Sequence, residues 1–219
     1  LELFTGNELL VKGAMETEGG VHLFTGCPAP PLGELFNTLA TLRPWLSQRR
    51  IEASTAANET LALSMLAEAR MAGARALAAL SAPAFASAMH VLSHDAFASG
   101  SSGGAAVILC GDDPWAETAM TPADSRFSAQ QVSIPMVEPS NLQELKDWID
   151  LAFKLGRSGQ IPVGYLVNCA LADGGGTVRC RPNHDPLPVS RSTEAAESMP
   201  QPFIQTNRKR HTKKKIACL

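Results

Sequence analysis

The chain has five cysteines but no Cys-x-x-Cys pair, so it offers neither a zinc site nor an iron–sulfur cluster from ligands of its own. Cys27, Cys110, Cys169, Cys180 and Cys218 are scattered and read as free thiols of a reducing compartment. Cys110, at the end of the apolar run Ala105 to Cys110, reads as a small core residue. No apolar stretch reaches the roughly 20 residues that span a membrane, and no secretory leader precedes the first patterned block. The sequence therefore points to a cytoplasmic protein without membrane contact. The metalloprotease pattern is missing as well. His90 and His94 stand four apart on a probable helix, but no glutamate follows His90 and no third histidine is near, so they read as hydrogen-bonded or solvated side chains. A start at Leu1 rather than methionine reads as a fragment or a processed chain.

What the chain does have is apolar mass cut into short pieces. It is 45% hydrophobic, and 17 glycines with 15 prolines punctuate it, which suits one core-bearing domain of many short elements. Charge is unevenly spread: residues 187–219 carry seven Lys/Arg against two Glu, and because the whole chain is −2 the remainder is −7. An acidic body speaks against nucleic acid as a partner of the folded part. From Arg181 onward the chain is rich in Pro, Ser and Thr and ends in a basic run, RKRHTKKK. A domain over residues 1–180 and a disordered basic tail over 181–219 are expected. Such a tail can bind acidic surfaces, and it can equally be a solvated end or an out-of-frame stretch.

Helical and strand patterns alternate. Glu8 to Glu16 is helical in pattern, Val21 to Phe24 a short strand, Leu32 to Leu42 a helix and Ile51 to Ala53 a strand. A helix from Glu59 precedes a strand over Ala76 to Leu80, followed by a helix from about Ala84 to Phe97 and the strand Ala105 to Cys110. Ile134 to Val137, Leu142 to Leu155 and Pro162 to Asn168 read as strand, helix and strand, the helix opened by Ser140 or Asn141. Alternation without two-residue hairpin turns predicts an α/β fold, a mostly parallel sheet with helices on both faces. Ligands of such sheets lie beyond the carboxyl ends of the strands. The turn after the first strand, Thr25 to Pro31 (TGCPAPP), is stiffened by three prolines; it reads as a plain surface turn or as a ligand loop.

Asn58-Glu59 opens an apolar and small-residue run, Thr60 to Leu77. Leu61, Ala62, Met65, Leu66, Ala69, Ala72 and Gly73 recur at three- and four-residue spacing, which predicts a buried helix with Glu59 in its first turn. One reading makes Glu59 a charge favoured by the helix dipole, with Asn58 as the cap. The other is that a carboxylate is kept beside so apolar a helix for chemistry.

Several short blocks, taken in order, weigh on that choice. They are Gly6-Asn7-Glu8 with Lys12-Gly13-Ala14, Thr25-Gly26-Cys27-Pro28 with Pro31 and Glu34-Leu35, Asn58-Glu59, Ala72 to Ala76, Gly103-Gly104, Asp112-Asp113-Pro114, and Ile134-Pro135 with Glu138-Pro139-Ser140. From Gly6 to about Val167 the chain resembles the pyrimidine-binding, N-terminal domain of the thiamine-diphosphate-dependent 2-oxoacid:ferredoxin oxidoreductases, above all the alpha subunit of the indolepyruvate type. No single block is specific; the ordered set is.

The resemblance implies oxidative decarboxylation of a 2-oxoacid on thiamine diphosphate, with electrons passed to iron–sulfur clusters that this chain lacks. It implies Glu59 as the carboxylic acid on the pyrimidine nitrogen N1′, and Gly26, Cys27 and Pro28 beside the cofactor. Pro30, Pro31 and Arg126 are implied at the substrate. The implied partners are a diphosphate-binding domain or subunit that supplies magnesium, a second oxidoreductase subunit and a ferredoxin-like acceptor. Departures stand beside these matches. In the family's Tyr-Pro-Gly-Thr-Pro-Ser loop, Cys27 replaces the tyrosine, Ala29 the glycine and Pro30 the threonine hydroxyl. Glu68 stands where a glycine is usual, a lysine near Leu80 to Pro83 is absent, and the following loop has become Ala116 to Ala123, while Arg126 is retained. Gly111-Asp112-Asp113 with Asn141 approaches the Gly-Asp-Gly…Asn magnesium pattern, but an aspartate stands where the close turn needs glycine, so no metal site is assigned. A catalytically inactive scaffold of the same fold, or a binding module acting through the basic tail, are the competing readings.

Overall fold

Apolar side chains alternate along the central strands, and that alternation gives the sheet two buried faces. The computed structural model describes residues 2–95, 103–117 and 120–189. The chain runs β1 (Glu2–Thr5), α1 (Gly6–Met15), β2 (Leu23–Gly26), α2 (Gly33–Thr41), α3 (Arg43–Gln48), β3 (Glu52–Ala53), α4 (Glu59–Met71) and β4 (Arg75–Ser81). It continues through α5 (Ala82–Ser87), α6 (Met89–Asp95), β5 (Ala105–Asp112), α7 (Ser125–Val132), β6 (Met136–Val137), α8 (Leu142–Gly159), β7 (Val163–Asn168), α9 (Cys169–Asp173) and β8 (Gly175–Val178). Six strands form one sheet in the order β3-β2-β4-β5-β7-β6, and every pairing in it is parallel. Leu77, Ala79, Val107, Leu109, Val163 and Tyr165 turn toward α1, α2 and α8. Ala76, Ala78, Leu80, Ala106, Ile108 and Cys110 turn toward α4, α5, α6 and α7. The α/β fold expected from the sequence is the fold observed.

Several elements differ from their sequence pattern for identifiable reasons. β1 and β8 pair antiparallel and bring the two ends of the domain together; they lie far apart in sequence, so no local turn signals them. The helix expected over Ala84 to Phe97 is two helices parted at Ala88, the first with Pro83 in its opening turn, and residues 96 and 97 lie outside the described residues. The strand expected from Ile134 shortens to Met136–Val137 because Pro135 has no N–H, and only its carbonyl pairs, with Gly164 N. In α4 the buried stripe is Ala62, Leu63, Leu66, Ala67 and Arg70, whereas Leu61 is exposed.

The expected boundary at residue 180 also shifts. Residues 181–189 run along the body: Lys12 Nζ donates to Arg181 O and Asn183 Oδ1, His184 N to Met15 O, and Leu187 N to Gly19 O. Arg49 and Asp185 pair at 2.9 Å. The rest of the expected tail, 190–219, lies outside the described residues, as does Cys218.

At the amino end of the sheet a buried ion pair joins α1 to α8. Lys146 Nζ contacts Glu16, and both side chains are fully buried. Glu16 also accepts from Arg181 N at 2.7 Å and pairs with Lys12 at 3.1 Å, and Lys146 reaches Asp147. Every charge in the cluster has a partner, which makes its burial tolerable. The helices touch closely there, since a Cβ on Gly13 would lie 2.3 Å from the Lys146 carbonyl oxygen.

Two stability measurements test this packing. Lys146→Ala strands the Glu16 carboxylate and is expected to cost about 3–5 kcal/mol in denaturant unfolding, and the double change Lys146→Met with Glu16→Leu about 1 kcal/mol or less. Equal losses in the two variants would contradict the pairing. Gly13→Ala is expected to cost about 1–3 kcal/mol by overpacking; a stabilised Gly13→Ala would show that α1 and α8 stand farther apart.

Candidate functional site

From β2 the chain moves to one side to make β3, then α4 carries it back across β2 to lay down β4 on the other side. The strand order therefore reverses between β2 and β4, the kind of switch point at whose carboxyl ends such sheets form their ligand crevice. Two segments border it. One is the loop Cys27 to Leu32, and the other is the stretch from Ser54 to Glu59 that leads into α4.

Gly26 ends β2 with φ 144°, and a Cβ there would meet the Ala79 carbonyl oxygen at 2.2 Å. Only glycine fits this turn. Cys27 N then donates to Ala79 O at 3.2 Å and Ala56 N to Gly26 O at 2.9 Å, so the 54–59 segment lies over the end of β2. Cys27 Sγ lies 3.8 Å from Ala56 O. Its thiol is pushed up by burial and, second, by the Glu59 carboxylate, which sets Glu59 on the loop side of the crevice.

Glu59 is the first residue of α4, and the cap is Asn58, whose Oδ1 accepts from Leu61 N at 2.8 Å. The cap is thus supplied by the neighbour. Among the described residues the half-buried Glu59 carboxylate takes part in no hydrogen bond or ion pair of the fold. Glu68, the expected departure in this helix, is exposed and disturbs nothing in the core.

The other expected residues divide. Pro28 and Pro30 are exposed on the loop, whereas Pro31 is buried. Pro31 Cδ lies where a Cβ on Gly111 would stand, 2.8 Å away, so the loop's end is pressed onto β5. The Pro30–Pro31 peptide is cis. Arg126, in the first turn of α7, is held by Asp124 at 3.0 Å and by a two-nitrogen contact with Glu138. Its hydrogen bonds to Glu138 raise the guanidinium further above its ordinary value. A substrate carboxylate would have to compete with both acids. Asp112 is buried, and its two oxygens accept from Ser125 N and Ser125 Oγ; burial raises its carboxyl and those bonds oppose the rise.

Two features had no clear signal in the sequence. Asn7 is buried and donates to Pro31 O and to Ala172 O, both at 3.1 Å; the Gly6-Asn7-Glu8 block marked the position without its role. Cys169 sits within 3.6 Å of Asp113 and 3.5 Å of Glu117. Burial and these acids push its thiol up to about 11. Among the described residues no cluster of three metal-ligating side chains occurs and no helix is long and apolar enough to cross a membrane. A groove of about 700 Å³ between α1, α2 and α3 is lined by Val11, Met15, Leu42 and Trp45 among others. None of Glu59, Cys27 or Pro30 lines it.

No family model matches the chain. Indolepyruvate oxidoreductase subunit IorA of Archaeoglobus fulgidus is 31% identical over 159 residues, 72% of this chain and 25% of that protein. IorA of Pyrococcus abyssi is 30% identical over 162 residues, 74% of this chain and 24% of that protein. This chain thus spans about a quarter of the length of these relatives. A solved 2-oxoglutarate:ferredoxin oxidoreductase from Magnetococcus marinus superposes with a TM-score of 0.74 at 16% identity, covering 98% of this chain and 44% of that one. The chain is a relative of the indolepyruvate oxidoreductase subunit IorA over about a quarter of that subunit's length, and it carries the fold of the 2-oxoacid:ferredoxin oxidoreductases.

Proposed function

We propose that this chain is the pyrimidine-binding part of a 2-oxoacid:ferredoxin oxidoreductase that acts on an indolepyruvate-like 2-oxoacid. The observation that carries the reading is the Glu59 carboxylate, free of hydrogen bonds and ion pairs within the described fold, at the mouth of the crevice between β2 and β4. A helix start needs a cap, and Asn58 already provides it.

The donor set suits the pyrimidine end of thiamine diphosphate and not its diphosphate. Glu59 offers an acid for a ring nitrogen, and Gly26, packed against the Ala79 carbonyl, turns the chain so that the loop stands beside that acid. Cys27 and Pro28 supply contact at the ring's edge. In contrast, β5 ends in Asp112 with Asp113 next in the chain, and α9 ends in Asp173. Asp112 has both oxygens occupied by Ser125, and burial followed by Asp113 and Glu34 raises the Asp173 carboxyl. That acidic edge repels a diphosphate, so the magnesium and diphosphate ligands belong on a partner domain or subunit, and the iron–sulfur clusters and ferredoxin-like acceptor outside this chain. Held in such a shared site, thiamine diphosphate would supply a carbon nucleophile for a 2-oxoacid. Glu59 holds a proton against N1′. The loop from Cys27 to Pro30 orients the substrate and shields it from water.

Two observations favour a second reading, an inactive scaffold of this fold. Pro30 brings no hydroxyl to the substrate, and Arg126 is engaged by two acids. The basic run at 208–215 lies outside the described residues, so a tail-borne binding role has no support from the fold.

Glu59→Gln is expected to keep the fold, with a change of about 1 kcal/mol or less in unfolding, because the cap is elsewhere. Turnover of the chain reconstituted with its diphosphate-binding partner is expected to fall by about two to four orders of magnitude. Unchanged turnover in an active complex would make Glu59 a mere dipole charge, and no thiamine-dependent turnover in any complex would favour the scaffold. By calorimetry, the isolated chain is expected to bind thiamine diphosphate with magnesium weakly or not at all. Tight magnesium-dependent binding would assign the metal to Asp112 and Asp113 after all.

A further inference from the structure

The first block of the sequence, Gly6-Asn7-Glu8, has no part in the function proposed so far, and its middle residue is among the most buried polar side chains of the protein. Asn7 is 2% exposed. Its Nδ2 donates one hydrogen to the Pro31 carbonyl and the other to the Ala172 carbonyl, each at 3.1 Å. Both partners accept only, which fixes the orientation of the amide. Its Oδ1 is buried with no hydrogen-bond partner. An orphaned buried acceptor is costly, and an apolar residue would avoid it. The position is therefore kept for its two donors.

The base on which Asn7 stands is rigid. Thr5 and Glu8 form a reciprocal capping box at the start of α1. Gly6 N donates to Gly174 O at 2.8 Å, and a Cβ on Gly6 would lie 1.8 Å from the Leu171 carbonyl oxygen. The beginning of α1 and the end of α9 are thus one body. Across the amide from it lies the loop Cys27 to Pro31, whose exposed part, Pro28 and Pro30, has no such tie. Its turn is closed by Leu32 N to Ala29 O, and its first residue is tied to the sheet by Cys27 N to Ala79 O.

We propose that Asn7 is a positioning residue: its amide ties the Pro31 carbonyl to the body formed by α1 and α9, and so sets where the loop Cys27 to Pro30 stands over the crevice. This rests on the reading that the crevice takes a cofactor and a 2-oxoacid, but the tie itself does not. The Pro31 carbonyl lies at the end of the loop, one residue before Leu32, the cap of α2. Releasing it lets the four residues ahead of it move without unfolding the sheet.

The test uses the full chain and needs no cofactor. Cys27 in the loop and Cys180 beyond it are both half-buried, and Cys110 and Cys169 are buried, so N-ethylmaleimide labelling mapped by peptide mass compares loop with body. Thiol rates follow exposure and thiolate content, and release of the loop raises both at Cys27. In Asn7→Ala the ratio of the Cys27 rate to the Cys180 rate is expected to rise about ten-fold, as for a local opening; Asn7→Ser, small and still polar, serves should the alanine variant not fold. Gly13→Ala, strained elsewhere on α1, is expected to leave the ratio unchanged. In an active reconstituted complex, Asn7→Ser is expected to raise KM for the 2-oxoacid about ten-fold with kcat within a few-fold, the pattern of weakened substrate binding. A ratio within about two-fold of the parent in both Asn7 variants, or an equal rise in Gly13→Ala, would overturn the proposal. A complex without thiamine-dependent turnover would defeat the function proposed above and leave the labelling result standing.

Discussion

All six strands of the main sheet point the same way, and the rest of the molecule follows from that constraint. A parallel sheet needs a crossover after each strand, and here each crossover is one or two helices. Helices on both faces remove the sheet from water altogether, which is why β4 and β5 are apolar nearly throughout. It also gathers every strand's carboxyl end on one edge. The reversal of strand order between β2 and β4 makes one switch point on that edge. Gly26, Cys27 and Glu59 meet there because of topology, although 32 positions separate Cys27 from Glu59 in sequence.

The charges follow the same geometry. At the amino edge, Glu16 and Lys146 sit wholly buried among partners and tie α1 to α8. Those groups are satisfied within the chain and hold structure together. At the carboxyl edge Asp112 is likewise satisfied, by Ser125, while Glu59 takes part in no hydrogen bond or ion pair among the described residues. A folded domain tolerates a half-exposed unpartnered carboxylate cheaply, since water still reaches it. The same group desolvated by a bound ring would become a strong proton partner. The difference between Asp112 and Glu59 is therefore one of vacancy rather than of residue type.

Much of this was legible in the chain. The alternation from Val21 to Asn168 carried the fold class, because period-two and period-3.6 patterns are local. The sequence placed Glu59 in the first turn of its helix correctly. It misjudged the buried stripe of that helix by one position, taking Leu61 for Ala62's neighbour in the core, because small residues on every side blur the period. The β1–β8 pair and the docking of residues 181–189 were not legible, since both are non-local contacts made by short polar segments. Asn7 illustrates the same limit at the site. Its motif was visible, but its two acceptors, Pro31 and Ala172, come from segments 24 and 165 residues away. Arg126 was visible as a retained cation, and only the structure shows it shared between Asp124 and Glu138.

The central claim is that the crevice between β2 and β4 holds the pyrimidine end of a cofactor shared with another domain. The most direct measurement is a crystal structure of the chain assembled with its diphosphate-binding partner and grown with thiamine diphosphate and magnesium. The account predicts the pyrimidine ring between Gly26–Pro28 and the start of α4, with a Glu59 carboxyl oxygen about 2.6–3.0 Å from N1′ and no diphosphate oxygen on this chain's aspartates. A ring bound elsewhere, or a Glu59 carboxylate folded back onto the amides of α4 while the cofactor is present, would contradict it.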